Sequence, residues 1–167
     1  MPFQNDILSV FDRSGISITC ENALLFEKYF HLLEKGNERM NLTSITKESE
    51  VIVKHFLDSV LPYFLIPEKA KVVDLGSGAG LPGIPLKIIR PDISLTLVEC
   101  TGKKLTFLNE TIASLEIKDT IVIDARVEEY GIKAGRKRFD VATARAVAPL
   151  NLLLEYALPL LKIKLSY

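Results

Sequence analysis

A glycine-rich segment in the middle of the chain has residue types and spacing suited to binding a nucleotide-like ligand. It follows the short β-rich run 72–75, and its glycines alternate with other residues: Gly76, Gly78 and Gly80. Glycine tolerates positive backbone torsions and lets a ligand approach the main chain without a Cβ in the way. Glu99 lies about 20 residues further on, where a carboxylate can accept hydrogen bonds from two ribose hydroxyls at once. This pattern predicts a ligand site at the ends of two successive strands.

The residues around the glycines restrict the class of ligand. A Gly-Lys-Ser/Thr sequence does not follow them, so the lysine and hydroxyl of a nucleoside-triphosphate loop are missing. A dinucleotide is an alternative, because Gly78, Gly80 and Gly83 satisfy the spaced three-glycine pattern. Asp74 argues against it, since a carboxylate there would repel a diphosphate but attract the ammonium and sulfonium groups of S-adenosylmethionine. We therefore predict S-adenosylmethionine as the ligand, with Asp74 and Glu99 as its acidic partners.

Each acid also has a simpler structural interpretation. Asp74 could serve as a turn or N-cap residue, and Glu99 could be a solvated strand end. The β-rich residues end at Leu75, however, whereas a dinucleotide register would place Gly76 and Ser77 at the end of the strand. The two acids and the glycines together therefore favour the methyl donor.

Helical and strand patterns predict the elements that position this segment. Apolar residues at helical spacing indicate helices over about 3–12 and 20–35, the second ending at the break Gly36. A third helix is expected to follow the N-cap candidate Thr46 and to close near Pro67. Further along the chain, strands are expected at 72–75, 93–99, 120–123 and 139–143, and helices at 82–89, 101–115 and 149–161.

This alternation predicts an α/β protein with a Rossmann-like, doubly wound parallel sheet. In such sheets the ligand crevice lies at the carboxyl ends of the strands. We divide the chain into an N-terminal helical cap, residues 1–67, and an S-adenosylmethionine-binding Rossmann-like domain, residues 68–167.

The composition limits partners and compartment. Basic and acidic residues are equal in number, 21 of each, so binding to RNA would require a local basic face. No apolar run reaches the roughly 18 to 20 residues of a membrane span, and the first residues lack the basic flank of a signal peptide. Cys20 and Cys100 match no metal-ligand or redox spacing. A cytoplasmic protein with reduced thiols is expected.

Several segments outside the glycine run are more specific. They are Asn-Leu-Thr-Ser-Ile at 41–45, His-Phe-Leu-Asp-Ser at 55–59, Leu-Pro-Gly-Ile-Pro at 81–85, Lys-Lys at 103–104 before Phe-Leu at 107–108, Arg-Val-Glu-Glu at 126–129, Thr-Ala-Arg-Ala at 143–146 and Pro-Leu at 149–150. With these segments, most of the chain resembles the glucose-inhibited division protein B family, the bacterial 16S rRNA guanine-N7 methyltransferases. The glycines alone are typical of many methyltransferases.

The resemblance implies a function and a set of site residues. It implies transfer of a methyl group from S-adenosylmethionine to guanine N7 in 16S rRNA, either naked or within a small-subunit precursor. It also implies the following positions: Gly76 and Leu81 in the cofactor loop, Glu99 at the ribose, Val127 and Glu128 around the adenine, and Arg145 beside donor and target. Val127 and Glu128 follow the third predicted strand, and Arg145 follows the fourth. We therefore expect all three at the same edge of the crevice. Arg145 could instead be only a phosphate or surface contact.

Methylation at guanine N7 requires few catalytic groups from the protein. N7 carries a lone pair and no proton, so no general base is required. Residues 144–149 contain neither the Asn/Asp-Pro-Pro-aromatic motif of methyltransferases that act on exocyclic amines nor a cysteine for covalent attack. We expect Cys100 to pack, and we interpret His55 as a hydrogen-bonded structural residue. No metal is predicted, because the two histidines lie apart and no carboxylate–histidine cluster appears.

Basic residues along the crevice rim are the candidates for contacting RNA phosphates. They are Arg39, Lys47, Lys54, Arg126, Arg136, Lys137, Arg138 and Arg145. For any one of them, a solvated surface charge is the alternative interpretation.

The C-terminus departs from the family pattern. Members resemble one another in continuing, after a segment like 158–162, with a glycine-rich turn and further strands, whereas here Ile163 to Tyr167 follow. We interpret the chain as a shortened product that keeps its cofactor motifs, and whose fourth strand becomes an open edge able to pair with another chain. A non-catalytic remnant that binds donor or RNA is therefore one alternative to an active enzyme, and a dinucleotide-binding oxidoreductase is another.

Overall fold

Four parallel strands form the sheet of the computed structural model, which describes residues 2–133 and 135–163, without the side chain of residue 133. The strands are β1 (Lys71–Leu75), β2 (Ser94–Glu99), β3 (Thr120–Asp124) and β4 (Val141–Ala144), in the spatial order β3-β2-β1-β4. Every neighbouring pair is parallel, so all four carboxyl ends meet at one edge. The predicted Rossmann-like α/β fold is confirmed.

Helices connect successive strands, as parallel pairing requires. They are α5 (Gly83–Ile89), α6 (Gly102–Ser114) and α7 (Val127–Lys133), and α8 (Leu150–Ala157) follows β4 and continues into the 3₁₀ turn Leu158–Leu160. The fourth strand is shorter than predicted at its start. Phe139 lies outside it and forms an isolated parallel bridge with Leu161, while β4 begins at Val141.

Two long helices open the chain: α1 (Pro2–Arg13) and α2 (Cys20–Arg39). A capping box between Thr19 and Asn22 fixes the start of α2. The prediction that Gly36 ends this helix is wrong. Gly36 is buried within α2, where a Cβ would come within 2.6 Å of Leu42 and 2.8 Å of Phe107. The glycine therefore serves close packing against α6 rather than a break.

The third helical segment, 48–65, is irregular. It begins with α3 (Glu48–Val51), widens into a π-helical stretch over Ile52–Leu57, and returns to an α-helical turn, α4 (Asp58–Val60). A 3₁₀ stretch, Leu61–Leu65, ends it. The predicted N-cap at Thr46 is wrong, because the cap residue is Lys47, which makes no side-chain cap hydrogen bond.

One apolar core joins the N-terminal helices to the sheet. The rings of Phe26 and Tyr29 both pack against the ring of Phe56, within the same cluster as Ile84 of α5 and Leu97 of β2. A second, smaller cluster covers the other face of the sheet with residues of α7 and Leu160. The division at residue 67 remains a prediction, and the cap and the sheet share the larger core. No helix in the described part of the chain is long and apolar enough to cross a membrane.

β4 is an outer strand of the described sheet, paired with β1 alone. The tail that we interpreted as a departure from the family pattern lies outside the described residues from residue 164 onward.

Candidate functional site

The glycine loop begins directly after β1, because the strand ends at Leu75, as the sequence predicted. Gly76, Gly78 and Gly80 all have positive φ angles, of 63°, 56° and 92°, which side chains with a Cβ rarely adopt. The Tyr29 hydroxyl of α2 donates to the carbonyl of Ala79 at 2.6 Å, and Ser77 N donates to Val98 O at 3.1 Å. The loop is therefore fastened both to the helical cap and to β2.

Glu99 ends β2 and faces this loop. Its Oε2 accepts from Gly78 N at 2.9 Å, and its Oε1 accepts from the backbone N–H groups of Cys100 and Thr101 at 2.9 and 3.0 Å. Burial alone would raise the pKa of Glu99, but these three donors outweigh it and hold the pKa below its ordinary value. The side chain is an ionised acceptor fixed at the carboxyl edge of the sheet.

Asp74 is fully buried beneath the loop rather than open to the crevice. Its Oδ1 accepts from the Thr143 hydroxyl of β4 at 2.8 Å, whereas Oδ2 has no hydrogen-bond partner among the described residues. Burial raises the pKa of Asp74 to about 6, against opposing interactions with Thr143, Ser77 and the backbone of Gly83, of which the hydrogen bond from Thr143 is the largest. The role of Asp74 toward the ammonium of a donor remains a prediction, and its visible contacts join β1 to β4.

The other residues assigned by resemblance lie near the same edge. Leu81 is buried at the end of the glycine loop, and Val127 begins α7, with its side chain packed in the smaller core cluster. Glu128 is exposed beside it and lies 3.9 Å from Arg126. Ala125 N donates to Glu99 O, which brings the start of α7 close to the acid of β2. Their contacts with an adenine remain predictions.

Arg145 lies in the loop after β4 and contacts the helical cap. Its Nη2 is 2.9 Å from Lys54 O and 3.0 Å from His55 Nδ1, and its Nη1 is 3.5 Å from Asp58 Oδ2. His55 is buried and also contacts the Thr43 hydroxyl at 2.7 Å, so the predicted hydrogen bonding of His55 is confirmed, while its purely structural role stays a prediction. The sequence pattern did not predict that these segments meet.

The basic residues suggested for RNA are not all on one rim. Arg39 ends α2, Lys47 and Lys54 lie on the third helical segment, and Arg126 precedes α7; all four are exposed. The three residues 136–138 are in the wrong place for the rim, because they precede the amino end of β4, opposite to the edge that carries the glycine loop. There Lys137 N and Arg138 N donate to the carbonyls of Pro159 and Leu160. Their binding to RNA remains a prediction.

Two further observations concern chemistry. In the described part of the chain, no group of three or more His, Cys, Asp or Glu side chains could hold a metal ion. Both cysteines are free and exposed, so the expectation that Cys100 packs is wrong: it lies one residue beyond the buried end of β2.

Solved structures of methyltransferases share this fold. TYW2 from M. jannaschii in complex with AdoMet aligns with a TM-score of 0.55, at 21% identity, over 65% of this chain and 48% of that chain. A SAM-dependent methyltransferase from Aquifex aeolicus aligns with a TM-score of 0.54, at 18% identity, over 68% and 62% of the two chains. At these identities the likeness concerns the fold alone.

Sequence comparison identifies closer relatives. Ribosomal RNA small subunit methyltransferase G of Caldanaerobacter subterraneus subsp. tengcongensis is 49% identical over 152 residues, which are 89% of this chain and 64% of the relative. The protein of the same name from Staphylococcus aureus strain JH9 is 44% identical over 150 residues, 89% of this chain and 63% of the relative. The chain thus spans less than two thirds of the length of these relatives.

A family model described as rRNA small subunit methyltransferase G matches residues 22–165. This match includes the glycine loop, Glu99 and the loop that carries Arg145, and it leaves the dinucleotide-binding alternative without support. The chain belongs to the rRNA small subunit methyltransferase G family.

Proposed function

We propose that the chain binds S-adenosylmethionine and transfers its methyl group to guanine N7 of 16S rRNA in the cytoplasm. One observation carries the proposal. Three segments typical of the family meet: Thr43 contacts His55, and His55 contacts Arg145, 90 residues further on, whose loop also places Val147 against Gly76 of the glycine loop. The substrate would be 16S rRNA or a small-subunit precursor, and the choice of guanine N7 follows the family resemblance.

The residues at the loop fit the donor. Above Gly78 a Cβ would meet nothing nearer than a backbone oxygen at 3.8 Å, so the main chain there is open to a ligand. Glu99 is ionised, and three of its roughly four acceptor positions are used by N–H groups, which leaves capacity for a ribose hydroxyl. The buried carboxylate of Asp74 supplies negative charge below the loop when it is ionised.

The protein's part in the reaction is to bind and orient. When bound, S-adenosylmethionine supplies a methyl group already activated on a sulfonium, so alignment of the reacting atoms is the main requirement. Glu99 and the loop glycines would hold the donor. Arg145 would hold the acceptor, since it lies in the loop after β4 at the carboxyl edge of the sheet, its side chain is 30% exposed, and a guanidinium can donate to a base or a phosphate. Because N7 carries no proton, no side chain has to act as a base.

Transfer can be measured with radiolabelled S-adenosylmethionine, comparing unmodified 16S rRNA with assembled small subunits. We expect label in 7-methylguanine, and loss of donor binding in Glu99→Ala, because the ribose acceptor is removed. Glu116→Ala, which alters an exposed acid beyond α6, is the matched control. Donor binding by calorimetry without any transfer would instead identify a non-catalytic binding protein, and absence of both would reject the proposal.

A further inference from the structure

The guanidinium of Arg145 is held from the helical cap by two acceptors on neighbouring residues. Its Nη2 lies 2.9 Å from Lys54 O and 3.0 Å from His55 Nδ1. A guanidinium nitrogen is a donor only, so each acceptor must offer a lone pair. His55 Nδ1 can do so only when it carries no proton. Lys54 O lies 3.3 Å from the same Nδ1 and would favour a proton there, but this carbonyl already accepts from Arg145 Nη2 at the shorter distance of 2.9 Å. The neutral imidazole then has its proton on Nε2.

The other side of the ring agrees with this tautomer. His55 Nε2 lies 2.7 Å from the Thr43 hydroxyl, which can accept the Nε2 proton. The same hydroxyl accepts from Ile45 N at 3.0 Å, which fixes its position within the 43–45 loop. Asn37 in turn ties this loop to α2 through two hydrogen bonds with the backbone of Thr43. A chain of contacts thus runs from α2 through the imidazole to Arg145.

The π-helical stretch shapes this arrangement. In a regular α-helix the Asp58 N–H would bond to Lys54 O, but here it bonds to Val53 O and His55 O. Lys54 O instead accepts from Arg145. The irregular turn therefore presents a backbone carbonyl and an imidazole nitrogen, side by side, to the same guanidinium nitrogen.

The charges around His55 favour the neutral ring. Burial first, and then the positive charge of Arg145, lower the pKa of His55 from its ordinary value of 6.5, while the backbone contact with Lys54 O and then the charge of Asp58 act in the opposite direction. Arg145 and Asp58 are the charged side chains that face the ring, from the loop after β4 and from its own segment. The contact from the 43–45 loop is the uncharged Thr43. Protonation would remove the acceptor and set two cations against each other.

We propose that His55 is the positioning residue of Arg145, acting as a neutral acceptor through Nδ1 while Thr43 holds Nε2. The consequence for methyl transfer rests on the proposed function. The tautomer of His55 and its contact with Arg145 do not depend on that function, because both are found in the chain without bound donor or RNA. Acidification that charges His55 is expected to release Arg145 from this position.

The contact can be tested by nitrogen-15 spectra of the imidazole rings. The chain has two histidines, so His31→Asn leaves His55 as the single source of signal; His31 is exposed and outside the site. At pH 7.5 we expect a protonated Nε2 and an unprotonated Nδ1, with a titration midpoint below 6.5 that rises in Arg145→Met. A protonated Nδ1, a charged ring at pH 7.5 or an unchanged midpoint in the variant would overturn the proposal.

Transfer assays test the positioning role. His55→Leu removes the acceptor and should lower kcat/KM for 16S rRNA about tenfold or more, with donor affinity unchanged, because Arg145 loses a partner. His55→Asn keeps an oxygen near the Nδ1 position and should recover most of this loss, without the fall in activity that the parent chain shows as pH drops below 6.5. Equal losses in both variants would contradict positioning. Absence of transfer by the parent chain rejects the proposed function, while the spectra still decide the contact.

Discussion

Two parts of the sheet differ in how they are held: the central strands β1 and β2 with α5, here called the first side, and the β4 edge with α8, here called the second side. Every position of β1 and β2 after the first is buried, and six of the seven residues of α5 are buried. In β4 no position is fully buried, and none of the eight described residues of α8 is buried. The donor loop belongs to the first side, and Arg145 belongs to the second. The proposed donor and acceptor sites are therefore supported by different interactions.

Apolar packing supports the first side, and hydrogen bonds or ion pairs join the second side to it. Lys71 N donates to the Asp140 carboxylate at 2.8 Å, Thr143 donates to Asp74, and His55 accepts from Arg145. Polar contacts of this kind depend on protonation and geometry more than buried area does. The two sides should consequently respond to different perturbations.

Truncation of one leucine on each side should give the largest difference in the free energy of unfolding. Leu97 of β2 is fully buried, whereas Leu154 of α8 is 46% exposed. Leu97→Ala should lower the free energy of unfolding by about 4 kcal/mol, because it removes buried surface and leaves a cavity. Leu154→Ala should lower it by less than about 1 kcal/mol. Urea unfolding of both variants measures the contrast, and equal losses would contradict it.

Asp74 joins β1 to β4 and so lies between the two sides. Its replacement should change the free energy of unfolding by an amount that depends on pH. Because burial raises its pKa from 3.8 to about 6, the folded protein binds more protons than the unfolded chain between these values. Its contribution to stability is thus fully present below pH 3.8 and is lost as the pH rises through 6. Asp74→Asn should gain roughly 2 to 3 kcal/mol relative to the parent chain between pH 4 and 7.5.

The measurement for Asp74 is urea unfolding of both proteins at several pH values. Asp92→Asn is a useful comparison, because its partner Arg90 lowers the pKa of Asp92 and reverses the sign of the pH dependence. A stability difference between parent and Asp74→Asn that does not change with pH would show that Asp74 titrates normally. If Asp74 also attracts the donor's ammonium, the stabilised variant should bind S-adenosylmethionine more weakly at pH 7.5.

The elements of the fold were largely predictable from local patterns. The short apolar runs before Gly76 and Cys100 specify buried parallel strands, and all four strands overlap their predicted ranges, although β4 begins two residues later than expected. The errors arose where tertiary contacts override local preference. Gly36 continues a helix because Phe107 packs against it, and the third helix widens into a π-helical stretch that no local pattern indicated.

The candidate site was predictable only in part. Its glycines follow β1 and Glu99 ends β2, so the topology of a parallel sheet brings them together at one edge. The contact of Arg145 with His55 joins residues 90 apart in sequence through side chains, and periodicity carries no information about such a pair. The unexplained family segments 41–45 and 55–59 were the signal that could have suggested it. Residues 136–138 were misplaced because charge alone does not specify a sheet edge.

Replacing one glycine on each side compares how strongly the backbone of the two sides is constrained. At Gly80 the φ angle is 92°, and a Cβ would overlap Ile84 and lie 3.0 Å from the Tyr29 hydroxyl. Gly80→Ala should therefore lower the free energy of unfolding by about 2 kcal/mol. Gly131 of α7 is its counterpart on the other side, where a Cβ would meet nothing nearer than a carbonyl at 3.4 Å. Gly131→Ala should be neutral or stabilise by up to about 1 kcal/mol; thermal unfolding compares them.

The smallest effect on stability is expected at the exposed surface beside β4. A cleft of about 480 Å³ runs along β4, and Leu150 and Leu154 of α8 are 70% and 46% exposed. In the described part of the chain the outer edge of β4 pairs with no other strand, and such an edge with apolar neighbours favours pairing with a second copy, so we expect concentration-dependent association of the chain. The double variant Leu150→Lys, Leu154→Lys should reduce association while changing the free energy of unfolding by less than about 0.5 kcal/mol. Sedimentation velocity over a concentration series measures the association, with His31→Asn as the control.

A parent chain that stays monomeric throughout would contradict the expected association. It would show that the polar contacts of the β4 side with β1 and the cap are enough to hold that side in place.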